Sequence, residues 1–228
     1  MKDQYFGDIN DYIKYGLLRL FGKTGLRIGV CWMMTPSDER TDGRKIHYLT
    51  NALRWRNYDP DLFDCLADAV KRDRNVRQIQ RASILPNCTF YNDVVPESLD
   101  SRRLWASQAL KKFSDVDLVF FDPDNGIEIR STRIGRKGSG KFVYWIEMEE
   151  TWSHGYSLLI FQHFPRQNRR QYISRLTDEA SNRLGGAEVV PIITSNVVYI
   201  LAYQPQHKTK AKQALDLITR TWLDQVRI

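Results

Sequence analysis

Side chains that carry oxygen crowd into one short segment of this 228-residue chain. Asp122, Asp124 and Glu128 place three carboxylates within seven residues, and Asn125 adds an amide. Oxygen ligands of this kind suit Mg²⁺ or Mn²⁺, and such an ion can activate water for hydrolysis. The segment therefore supports one hypothesis, a metal-dependent nuclease or phosphohydrolase with Asp122, Asp124 and Glu128 as ligands.

The same letters also favour a tight turn, because Asp-Asn-Gly is a turn signal by itself. The apolar run at residues 118–121 comes directly before Asp122 and Pro123, which indicates a buried strand that ends there. In open α/β sheets the ligand crevice lies outside the carboxyl ends of the strands. We therefore expect residues 122–125 at the lip of an active site rather than in a bare surface turn.

A second candidate segment is GDINDYIKY, near the start of the chain. It contains Asp8, Asn10, Asp11 and Lys14, and Asp11 and Lys14 are three residues apart on one face of a predicted helix. Asp8 or Asn10 can cap that helix. A capped helix with a surface ion pair is the structural alternative to a functional role.

His163 and Arg166 follow another apolar run, in FQHFPR. A histidine at a strand end can act as an acid or base, and an arginine suits a phosphate group. A histidine that only packs or caps is the alternative. These two residues are predicted to contact the substrate.

Arg136, Lys137 and Lys141 lie in the loop RIGRKGSGK, whose spacing differs from that of a phosphate-binding P-loop. Because this basic loop follows residues 122–125, we predict that it clamps a nucleic-acid substrate. A solvated loop is the alternative.

The elements that must position these residues alternate between helix and strand, and an α/β domain with a mostly parallel sheet follows from that order. The last two strands read as a hairpin, so we predict a three-layer, Rossmann-like sandwich with an antiparallel C-terminal hairpin, as a single domain over residues 1–228. The predicted helices span 9–21, 60–73, 101–113, 167–184 and 208–225. The predicted strands span 26–34, 88–95, 118–121, 157–162, 187–194 and 196–204.

Composition narrows the class of protein. The formal net charge of +7 favours a polyanionic partner such as nucleic acid. Three cysteines without a CxxC pair argue against a disulfide framework or a structural zinc site. No apolar run approaches the roughly 20 residues that span a bilayer, and the start of the chain lacks a signal-peptide core. We expect a cytoplasmic protein without a membrane partner, and the oligomeric state stays open.

This layout resembles the class I S-adenosylmethionine-dependent methyltransferases. Asp122 and Pro123 in DLVFFDPDNG match the first two positions of that family's motif (D/N/S)-P-P-(Y/F/W). The start of the chain is similar to that of the ribosomal-RNA adenine N6-methyltransferases, which open with G-N-x-x-D-x-x-K-H. Asn10, Asp11 and Lys14 are the nearest matches, with Tyr15 where that group has histidine.

The resemblance implies S-adenosylmethionine as cofactor and an amino group of a nucleic-acid base as methyl acceptor. Asn10 and Asp11, with Asp42 and Gly43 as a degenerate form of the family's glycine-rich loop, would bind the cofactor. Residues 122–125 would orient the acceptor amine, with Asp124 and Asn125 replacing the family's proline and aromatic residue. Lys14 and Tyr15 would contact the substrate. A nucleic-acid-binding module without catalysis is the third hypothesis.

Overall fold

The computed structural model describes residues 1–36 and 45–228. The helices are α1 Ile9–Lys23, α2 Ala52–Trp55, α3 Pro60–Arg72, α4 Arg77–Arg81, α5 Leu99–Lys112, α6 Trp145–Ser153, α7 Arg169–Arg183 and α8 Lys208–Thr221. The strands are β1 Ile28–Cys31, β2 Cys88–Tyr91, β3 Leu118–Phe121, β4 Gly126–Ile127, β5 Phe142–Val143, β6 Ser157–His163, β7 Glu188–Ile193 and β8 Val197–Tyr203. These elements confirm the predicted alternation of helices and strands.

One six-stranded sheet organises the domain, in the order β2-β1-β3-β6-β8-β7. Strands β2, β1, β3 and β6 run parallel, and β8 runs antiparallel to both β6 and β7. The mostly parallel sheet with an antiparallel C-terminal hairpin is therefore confirmed. The carboxyl ends of β1, β3 and β6 meet at one edge of the sheet, as the functional prediction requires.

Alternate side chains of each strand face opposite sides of the sheet and build two cores. On one side, Leu118 and Phe120 of β3 belong to a core with α1, α3 and α8. On the other side, Val119 and Phe121 belong to a core with α5, α6 and α7. Full burial of one large apolar side chain contributes about 1.5–3 kcal/mol, so the two cores hold the three layers together. The Rossmann-like, three-layer sandwich is thus confirmed.

The first strand is shorter than the sequence predicts. The continuous ladder ends at Cys31, although Trp32 and Met33 are fully buried. Met33 has a φ of +46°, which interrupts the ladder, and Met34 then forms an isolated parallel bridge with Val94. The apolar run was long enough for a strand over 26–34, but burial after Cys31 occurs outside regular pairing.

A second, two-stranded sheet lies beside the edge where the strands end. Strand β4 pairs in parallel with β5, with Gly126 opposite Phe142 and Ile127 opposite Val143. Between β3 and β4 the chain bends at Asp124 and Asn125, and Gly126 already belongs to β4. None of the helices among residues 1–36 and 45–228 combines the length and apolar character that crossing a bilayer requires.

Candidate active site at the carboxyl edge of the sheet

Helix α1 carries its polar face to the end of β3. The Lys14 Nζ lies 2.7 Å from Asp122 Oδ2 and 2.7 Å from Asp11 Oδ1. All three side chains are no more than 4% exposed. The surface ion pair that was the alternative for Asp11 and Lys14 is wrong, because the pair is buried and includes a third partner from β3.

Asp11 is held on its other oxygen as well. Its Oδ2 accepts hydrogen bonds from the Gly7 amide at 2.9 Å and the Tyr15 hydroxyl at 3.1 Å. Tyr15 is fully buried, and its hydroxyl points to Asp11. The structure thus places Tyr15 behind Asp11 as a positioning residue and not at the substrate contact that the resemblance implied.

The buried ion cluster keeps Lys14 charged. Burial alone would lower the pKa of Lys14, but Asp11 and Asp122 outweigh it and raise that pKa above its ordinary value. Burial also raises the pKa of Asp122, and the charge of Lys14 opposes that rise. Lys14 is therefore a fixed cation at neutral pH, and the carboxylate of Asp122 is engaged by it.

A cavity of about 620 Å³ opens beside this cluster. Its walls come from the start of α1, from residues 122–125, and from Phe161 and His163 at the end of β6. Asp8, Asn10, Asp11, Lys14 and Lys45 also line it. The cavity brings together the three segments that the sequence singled out as candidates.

Asp124 is a buried, ion-paired carboxylate at this cavity. Its side chain is 4% exposed, and its Oδ2 accepts a short hydrogen bond from the Thr35 hydroxyl and lies 4.0 Å from Lys2 Nζ. Its Oδ1 forms an ion pair with the Met1 ammonium group at 2.9 Å, but among the described residues it accepts no hydrogen bond. Met1 directs its hydrogen bonds to the carbonyls of Met33 and Asp122 instead. A buried carboxylate oxygen that accepts no hydrogen bond is rare, so it is suited to accept one from an N–H or O–H group of a ligand.

Asp8 is another carboxylate that lines the cavity. It caps α1, and its Oδ1 accepts the amides of Asn10 at 2.8 Å and Asp11 at 3.0 Å. Burial, together with the charge of Asp11, raises the pKa of Asp8 to about 7. The cavity therefore contains a group that can exchange a proton near neutral pH.

His163 and Asn125 separate this cavity from a second one of about 920 Å³ and line both. Both residues are exposed, and the protein atoms around the imidazole lower the pKa of His163. His163 is thus mostly neutral at pH 7 and can donate or accept a hydrogen bond. The sequence placed His163 and Asn125 at this edge, and the structure puts them between two chambers.

Arg136, Lys137 and Lys141 do not line either cavity. Their loop is fastened at its end, where the Asn125 amide donates to the Lys141 carbonyl at 2.8 Å. Buried Arg102 of α5 donates to the Ser139 carbonyl at 2.8 Å. These hydrogen bonds hold the basic loop beside the site, and the loop does not cover either cavity. Arg166 is exposed and also lies outside both cavities.

The proposed metal ligands are not assembled. Glu128 lines the second cavity, and its Oε1 accepts the Trp145 amide at 2.8 Å. Asp122 is paired with Lys14, and Asp124 with Thr35. Among residues 1–36 and 45–228, no group of three His, Cys, Asp or Glu residues stands in an arrangement that could hold a metal ion.

The structure describes two of the four residues predicted to bind the cofactor, Asn10 and Asp11. Asn10 lines the first cavity, and its amide oxygen accepts from Asn196 at 3.4 Å. Asp11 lines the cavity but is engaged as described above. Asp42 and Gly43 lie outside the described residues.

The sequence did not assign several residues that build or support the site. Thr35, which contacts Asp124, and Lys45, which lines the cavity, lie on either side of the segment that follows β1. Arg102 and Glu147 form the buried pair that holds the base of the loop. Comparison of the chain with models of protein families, with curated proteins and with solved structures finds no match.

Proposed function

We propose that this chain transfers a methyl group from S-adenosylmethionine to an amino group of a nucleic-acid base. The observation that carries the proposal is the contact between Lys14 and Asp122. It joins the two segments that resemble methyltransferase motifs, although they are 108 residues apart. If the two motif matches were accidental, there would be no reason to expect the two segments to contact each other.

The residues of the first cavity suit this cofactor. The cavity volume of about 620 Å³ is within the usual range for small-molecule sites. A sulfonium cation is favoured next to carboxylates, and Asp8 and Asp124 line the cavity; Asp124 also pairs with the Met1 ammonium group and with Lys2. Lys45 is exposed at the mouth and can pair with the carboxylate of the cofactor's amino-acid part. When bound, S-adenosylmethionine supplies an electrophilic methyl group.

The acceptor amine is held by different atoms from those the resemblance implies. The carboxylate of Asp122 is occupied by Lys14, and its carbonyl accepts from Met1. Asp124 Oδ1 and the exposed side-chain amide of Asn125 remain as acceptors for an N–H group. Asp8 can take the proton that the amine releases, because the pKa of Asp8 is about 7. Positioning supplies the rest of the rate.

The other parts of the prediction stay predictions. Nucleic acid as the partner and the cytoplasm as the location rest on the charge and composition of the sequence. The metal-dependent nuclease is the weaker candidate, because its three ligands are held apart.

Calorimetric titration with S-adenosylmethionine tests the proposal. We expect the wild type to bind and Asp124→Asn to bind about tenfold more weakly, because a negative charge beside the sulfonium is lost. Asp216→Asn is the matched control, since Asp216 is exposed on α8 and the net charge changes equally. Absence of binding by the wild type up to millimolar cofactor would reject the proposal, as would equal effects of the two variants. Transfer of a labelled methyl group to RNA or DNA then identifies the acceptor.

A further inference from the structure

The second cavity, of about 920 Å³, has a different chemistry from the first. Its lining includes the aromatic rings of Phe164 and Tyr172 and the guanidinium groups of Arg130 and Arg175. Flat apolar rings beside planar cations suit a ligand that combines a planar, aromatic part with negative charge.

Two of the cavity's arginines are free to bind an anion. Arg183 is engaged, because it pairs with Glu149 at 2.9 Å and with Glu179 at 3.2 Å. Arg130 and Arg175 have no carboxylate partner among the described residues, and Arg175 only lies over the Tyr172 ring, 5.7 Å from its centre. Both are exposed, so a phosphate reaches them without breaking an ion pair.

The aromatic rings are held in place by their neighbours. Arg169 lies 4.5 Å from the centre of the Phe164 ring and donates to the Ser195 carbonyl at 2.9 Å. Phe164 and Tyr172 are half-buried against the core below α7. Rings that are fixed before binding lose little entropy when a base stacks on them.

We infer that the second cavity binds a nucleotide of a single-stranded nucleic acid. The base stacks on Phe164 and Tyr172, and its phosphates pair with Arg130 and Arg175. Stacking needs an exposed face of the base, which a duplex does not offer. Because Asn125 and His163 line both cavities, a base in this chamber lies beside the site where the amine would react. The inference deepens the proposed function and rests on it for that last step, but the binding itself requires no cofactor.

Fluorescence anisotropy with a labelled single-stranded 15-mer, without cofactor and over a series of salt concentrations, tests the inference. We expect Arg175→Ala to bind about five- to tenfold more weakly and to lower the slope of log K against log salt by about 0.7, as the loss of one phosphate contact requires. Arg220→Ala is the matched control, because Arg220 is exposed on α8, in the layer on the opposite side of the sheet. It should leave affinity and slope unchanged.

The ring is tested separately. Phe164→Leu keeps an apolar side chain but removes the stacking face, and we expect at least about fivefold weaker binding. Phe164→Tyr should bind as the wild type does. The inference fails if the wild type does not bind at low salt, if Arg175→Ala and Arg220→Ala weaken binding equally, or if a duplex binds as tightly as the single strand. Oligonucleotide binding that depends on Arg175 and Phe164, without any binding of S-adenosylmethionine, would uphold the inference and reject the proposed function.

Discussion

Lys14 and Asp122 form a buried ion pair, with 2.7 Å between the Nζ and Oδ2 atoms, that joins the first helix to the end of a central strand. Asp11 is the second carboxylate on the same ammonium group. Two buried carboxylates thus share one lysine, so removal of that lysine leaves both without a cation. The pair fixes the position of the Asp122–Asn125 turn relative to α1, and the candidate site depends on that position.

The first prediction concerns this lysine. Lys14→Met keeps much of the side-chain volume but leaves Asp11 and Asp122 buried without a counter-charge. We expect a loss of about 3–5 kcal/mol in the free energy of unfolding, as measured by urea denaturation. Lys23→Met is the control, because Lys23 is exposed at the end of the same helix, and it should change stability by less than about 0.5 kcal/mol. Similar losses in the two variants would show that Lys14 does not hold the cluster.

The sequence predicted the elements well because their signals are local. The apolar stripe of α1 and the continuous run of β3 need only their own residues to be read. The capping position at Asp8 and the end of α7 before Gly185 also depend on neighbouring residues, and both are confirmed. The end of β1 was misplaced because burial continues after the continuous ladder stops at Cys31, and an isolated bridge between Met34 and Val94 follows it.

The partners within the site were not predictable in the same way. Whether Asp122 meets a ligand or Lys14 depends on contact between segments 108 residues apart, and residue spacing does not encode such a contact. The resemblance marked Asp122 as the acceptor for a substrate, whereas in the structure Asp122 pairs with Lys14 and the neighbouring Asp124 has the oxygen that accepts no hydrogen bond. The cation that a carboxylate pairs with in the fold thus decides whether that carboxylate can also bind a substrate.

The second prediction concerns the pH dependence of stability. Burial raises the pKa of Asp8 from 3.8 to about 7 in the folded chain. Between these two values the folded state holds a proton that the unfolded state has released, so stability falls as pH rises through that window. The fall is on the order of 1 kcal/mol per pH unit for one group.

Asp8→Asn removes this effect and keeps a good helix cap. We expect the variant to gain stability relative to the wild type between pH 5 and pH 8, as measured by urea denaturation at several pH values. Asp122, whose pKa is also raised, contributes the same slope to both proteins and cancels in the difference. A constant difference between the two proteins across this range would contradict the assignment.

The third prediction concerns the buried pair between α5 and α6. Arg102 Nε lies 2.7 Å from Glu147 Oε1, and Arg102 Nη2 lies 2.9 Å from Oε2. The same guanidinium donates to the Ser139 and Phe142 carbonyls, so it also holds the end of the basic loop. Glu147→Gln leaves a buried cation without its counter-charge, and we expect a loss of about 3–5 kcal/mol in stability.

Glu149→Gln is the control for this change. Glu149 lies on the same helix, but its ion pair with Arg183 is exposed, so the loss should be no more than about 1 kcal/mol. Thermal unfolding of the two variants beside the wild type gives the comparison. If Glu147→Gln and Glu149→Gln unfold at the same temperature, the buried pair does not hold the loop.

The last prediction concerns Gly126, directly after the candidate catalytic turn. Its φ of +96° favours glycine, and a Cβ would stand 2.3 Å from Gln162 Oε1, which cannot move away without losing the hydrogen bond that it accepts from the Ile127 amide at 2.6 Å. Gly126→Ala therefore adds a steric clash to the cost of the left-handed backbone. Gly138→Ala, at a φ of +84° with no atom within 4 Å of the Cβ position, has the backbone cost alone, about 1–2 kcal/mol. We expect Gly126→Ala to lose about 1–3 kcal/mol more than Gly138→Ala in urea denaturation, because overpacking has that cost. Equal losses from the two substitutions would mean that the Gln162 side chain yields and the segment stays in place.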